Sequence, residues 1–256
     1  MSDLLVVDGL EKSFGGLQAL SGCSLTLEEG SIGGLIGPNG SGKTTLFNIV
    51  TGYVRSDAGA VSFKGRPLVG GKPDQVFALG IGRTFQLTRI FARLTVLENM
   101  LVATQRREGW LRSMVRGSES TVEHERAMDL LAFVGLARLW DSSAGTLSYG
   151  QRKLLELAYV LIAEPSVILL DEPAGGINPT LIDEIRSRIV ELNRQGTTFL
   201  IVEHNMEFVM GLCDKVTVMD MGCAIVSGPP DQVRADPRVL DAYLGSVEEA
   251  SDDAGE

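Results

Sequence analysis

The stretch SIGGLIGPNGSGKTTLFNIVTGYV, residues 31–54, decides the fold. Its start, IGGLI, is a short run of apolar residues and glycines, which predicts a buried strand. Its second half, GKTTLFNIVTGYV, predicts a helix with Leu46, Ile49 and Val50 on one face. The glycine-rich segment GPNGSGKT joins the two and matches the pattern GxxxxGK(S/T). The order of strand, glycine-rich turn and helix is the context in which that pattern forms a phosphate-binding loop.

Each residue type in this loop suits the binding of a nucleotide. Glycines allow successive backbone N–H groups to point inward at phosphate oxygens without Cβ clashes. The ammonium of Lys43 is expected to neutralise the β- and γ-phosphates, and the Thr44 hydroxyl is expected to bind Mg²⁺. The residues predicted to contact the nucleotide are Gly37, Pro38, Asn39, Gly40, Ser41, Gly42, Lys43, Thr44 and Thr45.

Acidic, histidine and glutamine side chains complete a possible nucleotide site. Asp171 ends the apolar run VILLD as a candidate Mg²⁺ ligand, and Glu172 beside it is suited to polarise a water molecule. His204 follows the apolar run FLIV, and strand ends of an open parallel sheet converge on the ligand, so His204 could reach the γ-phosphate. Taken alone, a lone histidine is more often structural. Gln86, in GRTFQ, could bind Mg²⁺ or orient water, or be a polar loop residue.

The segment TLSYGQRKLLEL, residues 146–157, predicts a helix with an unusual first turn. Ser148 and Gln151 have the spacing of a capping box, in which each side chain satisfies the other residue's backbone N–H. Gly150 lies in that first turn, where glycine lowers helix stability. We interpret it as leaving the helix end bare for an anion, since helix N-termini favour phosphate groups.

The remaining pattern predicts an α/β fold. Apolar strands alternating with helices indicate a mostly parallel sheet covered on both faces. LLVVDGL and CSLTLEEG predict an antiparallel pair near the start, KVTVMDMGCAIVSG predicts a hairpin, and TVEHERAMDLLAFVGL predicts an amphipathic helix in an all-helical middle.

Composition narrows the classes of function. The formal net charge of -10 argues against a nucleic-acid binder. No apolar run approaches the roughly 18 residues that span a bilayer, and the first residues lack a secretion signal. The three cysteines show no paired spacing, which predicts reduced thiols. The arginines at 106, 107, 112 and 116 could form a solvated face or a partner surface, and the acidic tail 247–256 is predicted to be disordered.

Taken in order, these motifs resemble those of the ATP-binding-cassette (ABC) ATPases. The phosphate loop is followed by TFQ, LSYGQ, ILLDEP, GGINP and VEH, and the resemblance runs from about Leu5 to Leu244. It implies that Phe14 stacks on adenine, although Phe14 could also be a core aromatic at a strand end. It further implies that Glu172 is the catalytic base, with Gln86 and His204 as its catalytic neighbours. The signature residues Ser148, Gly150 and Gln151 are expected to contact ATP bound to a second subunit.

A closer resemblance is to the ATPase subunits of importers for branched-chain and other hydrophobic amino acids. It is carried by FGGLQAL, RTFQ, LSYGQRKLLELA, DEPAGGINP, IVEHNMEFVMGLCDKVTVMDMG and DPRVLDAYLG. It implies one ABC domain over residues 1–246, with 1–87 and 160–246 forming the core and an N-terminal antiparallel β subdomain, and 88–159 an inserted helical subdomain. Tyr149 and Asn178 depart from the broad family pattern at a usual glycine and a usual aspartate, and both are compatible with this subfamily.

The resemblance also implies the partners. An importer ATPase works with ATP and Mg²⁺ as one of two ATPase subunits, either two copies or a copy and a paralogue. It lies in the cytoplasm on the inner face of the plasma membrane, against two integral membrane permease subunits that receive solute from a solute-binding protein. The alternatives are the ATPase of a urea or amide importer, a soluble ABC ATPase outside transport, and a nucleotide-sensing regulator.

Overall fold

The strand, loop and helix predicted around the glycine-rich stretch are present in the computed structural model, which describes residues 2–68, 70–84, 90–108 and 121–243, and side chains in all of these except 104–108. Strand β3 (Ile32–Ile36) is buried along its whole length, and helix α1 (Lys43–Val50) follows the loop. The helix ends earlier than predicted, because the chain turns at Gly52 with φ 77°. A Cβ there would lie 2.3 Å from the Gly71 carbonyl oxygen, so only glycine fits this turn.

Two sheets are built around this unit. The first is antiparallel, in the order β2-β1-β4-β5. Its strands are β1 (Asp3–Phe14), β2 (Leu17–Glu28), β4 (Ala58–Phe63) and β5 (Arg66–Pro67). The pairing of β1 with β2 confirms the predicted antiparallel pair.

The second sheet carries β3 at its centre, in the order β10-β9-β3-β8-β7-β6. Its other strands are β6 (Ile81–Arg83), β7 (Val167–Asp171), β8 (Thr198–Val202), β9 (Lys215–Asp220) and β10 (Cys223–Gly228). All neighbours pair in parallel except β9 and β10, which form the predicted hairpin.

Helices connect and cover the strands. They are α2 (Pro73–Ala78), α3 (Val96–Glu108), α4 (Thr121–Phe133), α5 (Tyr149–Leu161), α6 (Pro179–Arg194), α7 (Met206–Met210) and α8 (Pro230–Ala235), with short 3-10 turns at 137–139 and 144–146. No helix in the described ranges is both long and apolar enough to cross a membrane.

Side chains of alternate strand residues separate into two cores, one on each face of the parallel sheet. In β7, Ile168 and Leu170 pack into the larger core with the helices, whereas Val167 and Leu169 face the smaller core with α1 and the antiparallel sheet. Both faces are covered, as the continuous apolar strands predicted. The three cysteines are free thiols.

Some predictions lie outside the described residues. These are the position of Gln86, the side chains of the four arginines at 106–116, and the acidic tail 247–256. The proposed boundaries of the core, 1–87 and 160–246, and of the helical insert, 88–159, stay predictions.

Candidate active site

A cavity of about 370 Å³ opens where β3, β7 and β8 end. It gathers side chains and loop atoms that are far apart in the sequence. Nine of the predicted site residues line it: Phe14, Asn39, Gly40, Gly42, Lys43, Thr44, Thr45, Glu172 and His204. Phe14 is 48% exposed at the end of β1, so the alternative that it is a core aromatic is wrong. The strand ends therefore bring the predicted phosphate-binding loop, the predicted catalytic base and the predicted adenine-stacking ring to one cavity.

Two loop glycines are required by close backbone approach. A Cβ on Gly37 would lie 2.1 Å from the Met219 carbonyl oxygen. Gly42 has φ 100°, and a Cβ there would lie 2.5 Å from the Ala19 carbonyl oxygen. The loop is thereby held between β9 and the start of β2, so neither position can carry a side chain.

Lys43 is the first residue of α1, and its side chain is buried beneath the glycine-rich loop that precedes the helix. Its ammonium donates to the carbonyl oxygens of Gly37 at 2.9 Å and Pro38 at 2.8 Å, and to Ser41 Oγ at 3.2 Å. Burial lowers the pKa of Lys43, while the nearby carboxylates of Glu172 and Asp171 oppose that shift. The ammonium is therefore bonded to the loop itself, and the charges of two carboxylates stabilise its protonated form.

Asp171 ends β7 in a buried ion pair that the sequence did not reveal. Its Oδ2 lies 2.9 Å from the Arg83 guanidinium at the end of β6. The same guanidinium donates to Asn48 Oδ1 at 2.8 Å, in the C-terminal half of α1, and to Thr51 Oγ1 at 3.1 Å, directly after that helix. Arg83 thus joins β6, β7 and the helix that follows the phosphate loop.

Glu172 has the backbone and side-chain geometry of a constrained functional residue. Its φ is 50°, a left-handed conformation that is rare and strained for a residue other than glycine. Its backbone N–H donates to the Val202 carbonyl oxygen at 2.9 Å, and its Oε1 lies 3.0 Å from His204 Nε2. A proton on Nε2 makes the imidazole the donor. The structure thus brings the predicted base and the predicted histidine into direct contact.

Glu203 supports the site from behind and was not predicted from the sequence. It is 3% exposed, and its carboxylate accepts backbone N–H groups from Ala174 at 2.5 Å, His204 at 3.0 Å and Asn205 at 3.2 Å. It therefore ties the turn after Glu172 to the turn that carries His204. An acid at the end of an otherwise apolar strand was the available signal.

The signature segment confirms the predicted capping box. Ser148 Oγ accepts the Gln151 N–H at 3.2 Å, and Gln151 Oε1 accepts the Ser148 N–H at 2.9 Å. Gly150 is buried, and a Cβ there would lie 2.0 Å from Leu181 Cδ2 on α6, so a larger residue would have to displace the end of that side chain. None of the three predicted signature contacts lines the cavity of the same chain.

The oxygen atoms at the site suit Mg²⁺ in combination with phosphate groups. Thr44 is exposed in the cavity at the start of α1, whereas Asp171 at the end of β7 does not line the cavity and has one carboxylate oxygen 2.9 Å from Arg83. Within the described ranges there is no group of three or more His, Cys, Asp or Glu residues that could hold a metal ion. Mg²⁺ is usually held by one or two carboxylates plus substrate phosphates, so a sparse set of hard oxygen ligands fits it.

Comparison with known proteins agrees with this geometry. The family model described as "ABC transporter" matches residues 20–175, and that described as "Branched-chain amino acid ATP-binding cassette transporter" matches residues 225–249. A model of an AAA domain matches residues 141–210, inside the same fold.

Curated relatives match over nearly the full chain. The high-affinity branched-chain amino acid transport ATP-binding protein LivG of Salmonella typhimurium is 39% identical over 251 residues, covering 95% of this chain and 98% of that protein. Its counterpart BraF of Pseudomonas aeruginosa is 37% identical over 251 residues, with coverage of 95% and 98%.

Solved structures show the same fold. A nucleotide-free ATP-binding cassette from an ABC transporter has a TM-score of 0.85 at 35% identity, covering 94% of this chain and 99% of that one. The ADP conformation of an ABC transporter cassette has a TM-score of 0.86 at 36% identity, with coverage of 96% and 100%.

Proposed function

The chain belongs to the ABC transporter ATPases, and we propose that it is the ATP-hydrolysing subunit of an importer for branched-chain or other hydrophobic amino acids. The observation that carries the hydrolytic part is the 3.0 Å contact between Glu172 and His204 at the mouth of a glycine-rich phosphate loop. The solute class is supported by the LivG and BraF relatives and by the match of residues 225–249.

The proposed chemistry assigns a role to each side chain. Mg²⁺ bound with ATP would neutralise charge on the transferred phosphoryl group, and Thr44 and Asp171, with Gln86 as predicted, would hold it. Glu172 accepts a proton from the attacking water, which it can do as a carboxylate. Lys43 moves from its loop carbonyl partners to the phosphate oxygens, and the Nε2–H of His204, which contacts Glu172, is shared with the charge that develops. Phe14 supplies an exposed aromatic ring on which the adenine of ATP can stack.

We infer that the site is completed by a second ATPase subunit. The N-terminus of α5, with Ser148, Gly150 and Gln151, is a capped helix end that favours phosphate, and it lies away from the cavity of its own chain. In a pair of subunits this helix end would face the other subunit's ATP. ATP then binds the closed pair more tightly than the open pair, and hydrolysis removes that preference. Two membrane permease subunits would receive the motion, and the chain would act from the cytoplasmic face of the membrane.

The hydrolytic assignment is tested by Glu172→Gln. This variant should bind ATP, form a trapped pair of subunits in size-exclusion chromatography and show little turnover, because the amide cannot accept the proton. Glu207→Gln, which alters an exposed acid at the start of α7, is the matched control and should hydrolyse ATP normally. Normal turnover by Glu172→Gln would overturn the assignment.

Two further measurements test the pairing and the solute. Ser148→Arg should leave ATP binding by the isolated subunit intact and abolish hydrolysis. Uptake of radiolabelled leucine should be lost in cells lacking this subunit and restored by the wild type. Loss of urea or amide uptake instead would reassign the solute, and failure to co-purify with multispanning membrane proteins would favour a soluble ABC ATPase.

A further inference from the structure

Helix α5 is packed directly on the turn that follows Glu172 in the same subunit. A Cβ on Gly176 would lie 3.3 Å from the Tyr149 ring, and Gly150 packs on Leu181 and Ile177. The helix end proposed to face one ATP therefore contacts the segment that carries the catalytic base for the other ATP. A side chain of α5 makes this contact polar as well.

Lys153 reaches from α5 to the backbone of Glu172. Its ammonium donates to the Glu172 carbonyl oxygen and lies 5.4 Å from the centre of the Tyr149 ring. The same carbonyl accepts the Gly175 N–H at 3.1 Å, so two donors hold the turn in which Glu172 keeps its left-handed φ. The lysine thus bonds to the strained residue itself and not to its neighbours.

Burying Lys153 costs folding free energy unless its ammonium group has hydrogen-bond or charged partners. The residue is 8% exposed, and a buried ammonium without partners is strongly disfavoured. Burial lowers the pKa of Lys153, and the carboxylates of Glu203 and Glu156 oppose that shift most strongly. Glu203 is itself bonded to the turns of Ala174 and His204. An apolar side chain of the same length would fill the space and would need no carboxylates to offset a buried charge. The presence of a lysine therefore indicates that its hydrogen bond to the Glu172 carbonyl oxygen is what the site requires.

We propose that Lys153 is a positioning residue that fastens Glu172 to the signature helix. It holds the Glu172 backbone so that the carboxylate stays in contact with His204 and faces the cavity. When the N-terminus of α5 binds the ATP of the opposite subunit, α5 shifts. Lys153 transmits this shift through its hydrogen bond to Glu172 of the same subunit. This role rests on the proposed function, since it requires Glu172 to be the base.

The test compares Lys153→Met, which keeps length and removes the donor, with Lys153→Arg, which keeps charge and donors. We expect the methionine variant to lower kcat by about 10–100-fold, the effect of a misplacement near 1 Å, with ATP affinity unchanged. The arginine variant should recover most of the rate. Lys64→Met is the matched control, because Lys64 donates to Ser166 Oγ at 2.6 Å away from the cavity, and it should leave kcat unchanged.

A double-mutant cycle separates positioning from general damage. If Lys153 acts through Glu172, adding Lys153→Met to Glu172→Gln should cause no further loss of single-turnover rate. The same fold loss in both backgrounds, or an unchanged kcat in Lys153→Met, would overturn the role of Lys153. Normal turnover by Glu172→Gln alone would instead overturn the proposed function.

Thermal unfolding of each variant shows whether it is folded before the rates are compared. Should Lys153→Met not yield folded protein, Lys153→Gln carries the test with a shorter, neutral donor. It should lose kcat selectively and to a smaller extent, with ATP affinity unchanged. An unchanged kcat in that variant would overturn the proposal.

Discussion

Replacing Arg83 by methionine tests the buried ion pair at the end of β7. The side chains of Arg83 and Asp171 are 6% and 7% exposed, and their charged atoms lie 2.9 Å apart. The guanidinium also donates to Asn48 and Thr51 and lies 5.5 Å from the centre of the Phe47 ring. Methionine fills much of the space but offers no donor, so the substitution leaves a buried carboxylate without its cation.

Breaking a buried pair from one side costs about 3–5 kcal/mol, because the remaining charge keeps its desolvation penalty. We expect Arg83→Met to lower the free energy of unfolding by that amount at pH 7. Arg83→Lys should lose less, since it keeps the charge but cannot reach three acceptors as a planar fork. The double variant Arg83→Met/Asp171→Leu should be more stable than Arg83→Met alone, because it removes both charges.

Urea unfolding followed by circular dichroism measures these differences, with the slope of the transition checked for each variant. A loss below about 1 kcal/mol for Arg83→Met would refute the reasoning, since it would place the pair among exposed ones. A double variant as unstable as the sum of its single variants would also refute it, because the two side chains would then not interact.

Three further predictions concern packing, thiols and a loop contact. Gly150→Ala should destabilise the protein by about 1–2 kcal/mol in urea unfolding, because its methyl group must displace the Leu181 side chain 2.0 Å away and this outweighs a gain in helix propensity of about 1 kcal/mol; Leu181→Ala should reverse part of the loss. Burial raises the pKa of Cys23 to about 11 and of Cys213 to about 12, so at pH 8 a thiol reagent should label neither until the protein is unfolded. Thr198→Val should lower the free energy of unfolding by about 1 kcal/mol, again measured by urea unfolding, because the Gly30 N–H loses the Thr198 hydroxyl that accepts it at 2.9 Å. An unchanged stability would show that water replaces the hydroxyl.

The parts of the site that could be predicted are those encoded locally. The phosphate loop is bounded by one strand and one helix, so GPNGSGKT carries its own structural context. Ser148 and Gln151 cap each other within a single turn. Glu172 and His204 follow apolar runs whose ends lie at the same edge of a parallel sheet, so their proximity needed only the fold class.

The residues that escaped prediction act across the sequence. Arg83 and Lys153 looked like ordinary polar positions in GRTFQ and QRKLLEL, where helical or strand periodicity places charges toward solvent. Their burial arises because partners from other elements surround them: Asp171 for the arginine, and Glu203 with the Glu172 carbonyl for the lysine. The reason for Gly150 was also incomplete, because the packing on Leu181 depends on where α6 lies.

The order of the central strands has a consequence for how this site tolerates change. Strand β8 lies between β3 and β7, and neighbouring strands are about 4.8 Å apart, so the phosphate loop and the two acids at the end of β7 leave the sheet about 10 Å from each other. The spacing of the strands fixes that separation, and His204, which follows β8, lies midway between the two. The gap is therefore set by the hydrogen-bonded strand ladder, so a change that breaks the pairing of β8 with β3 or β7 should widen the site even if every side chain in it is kept.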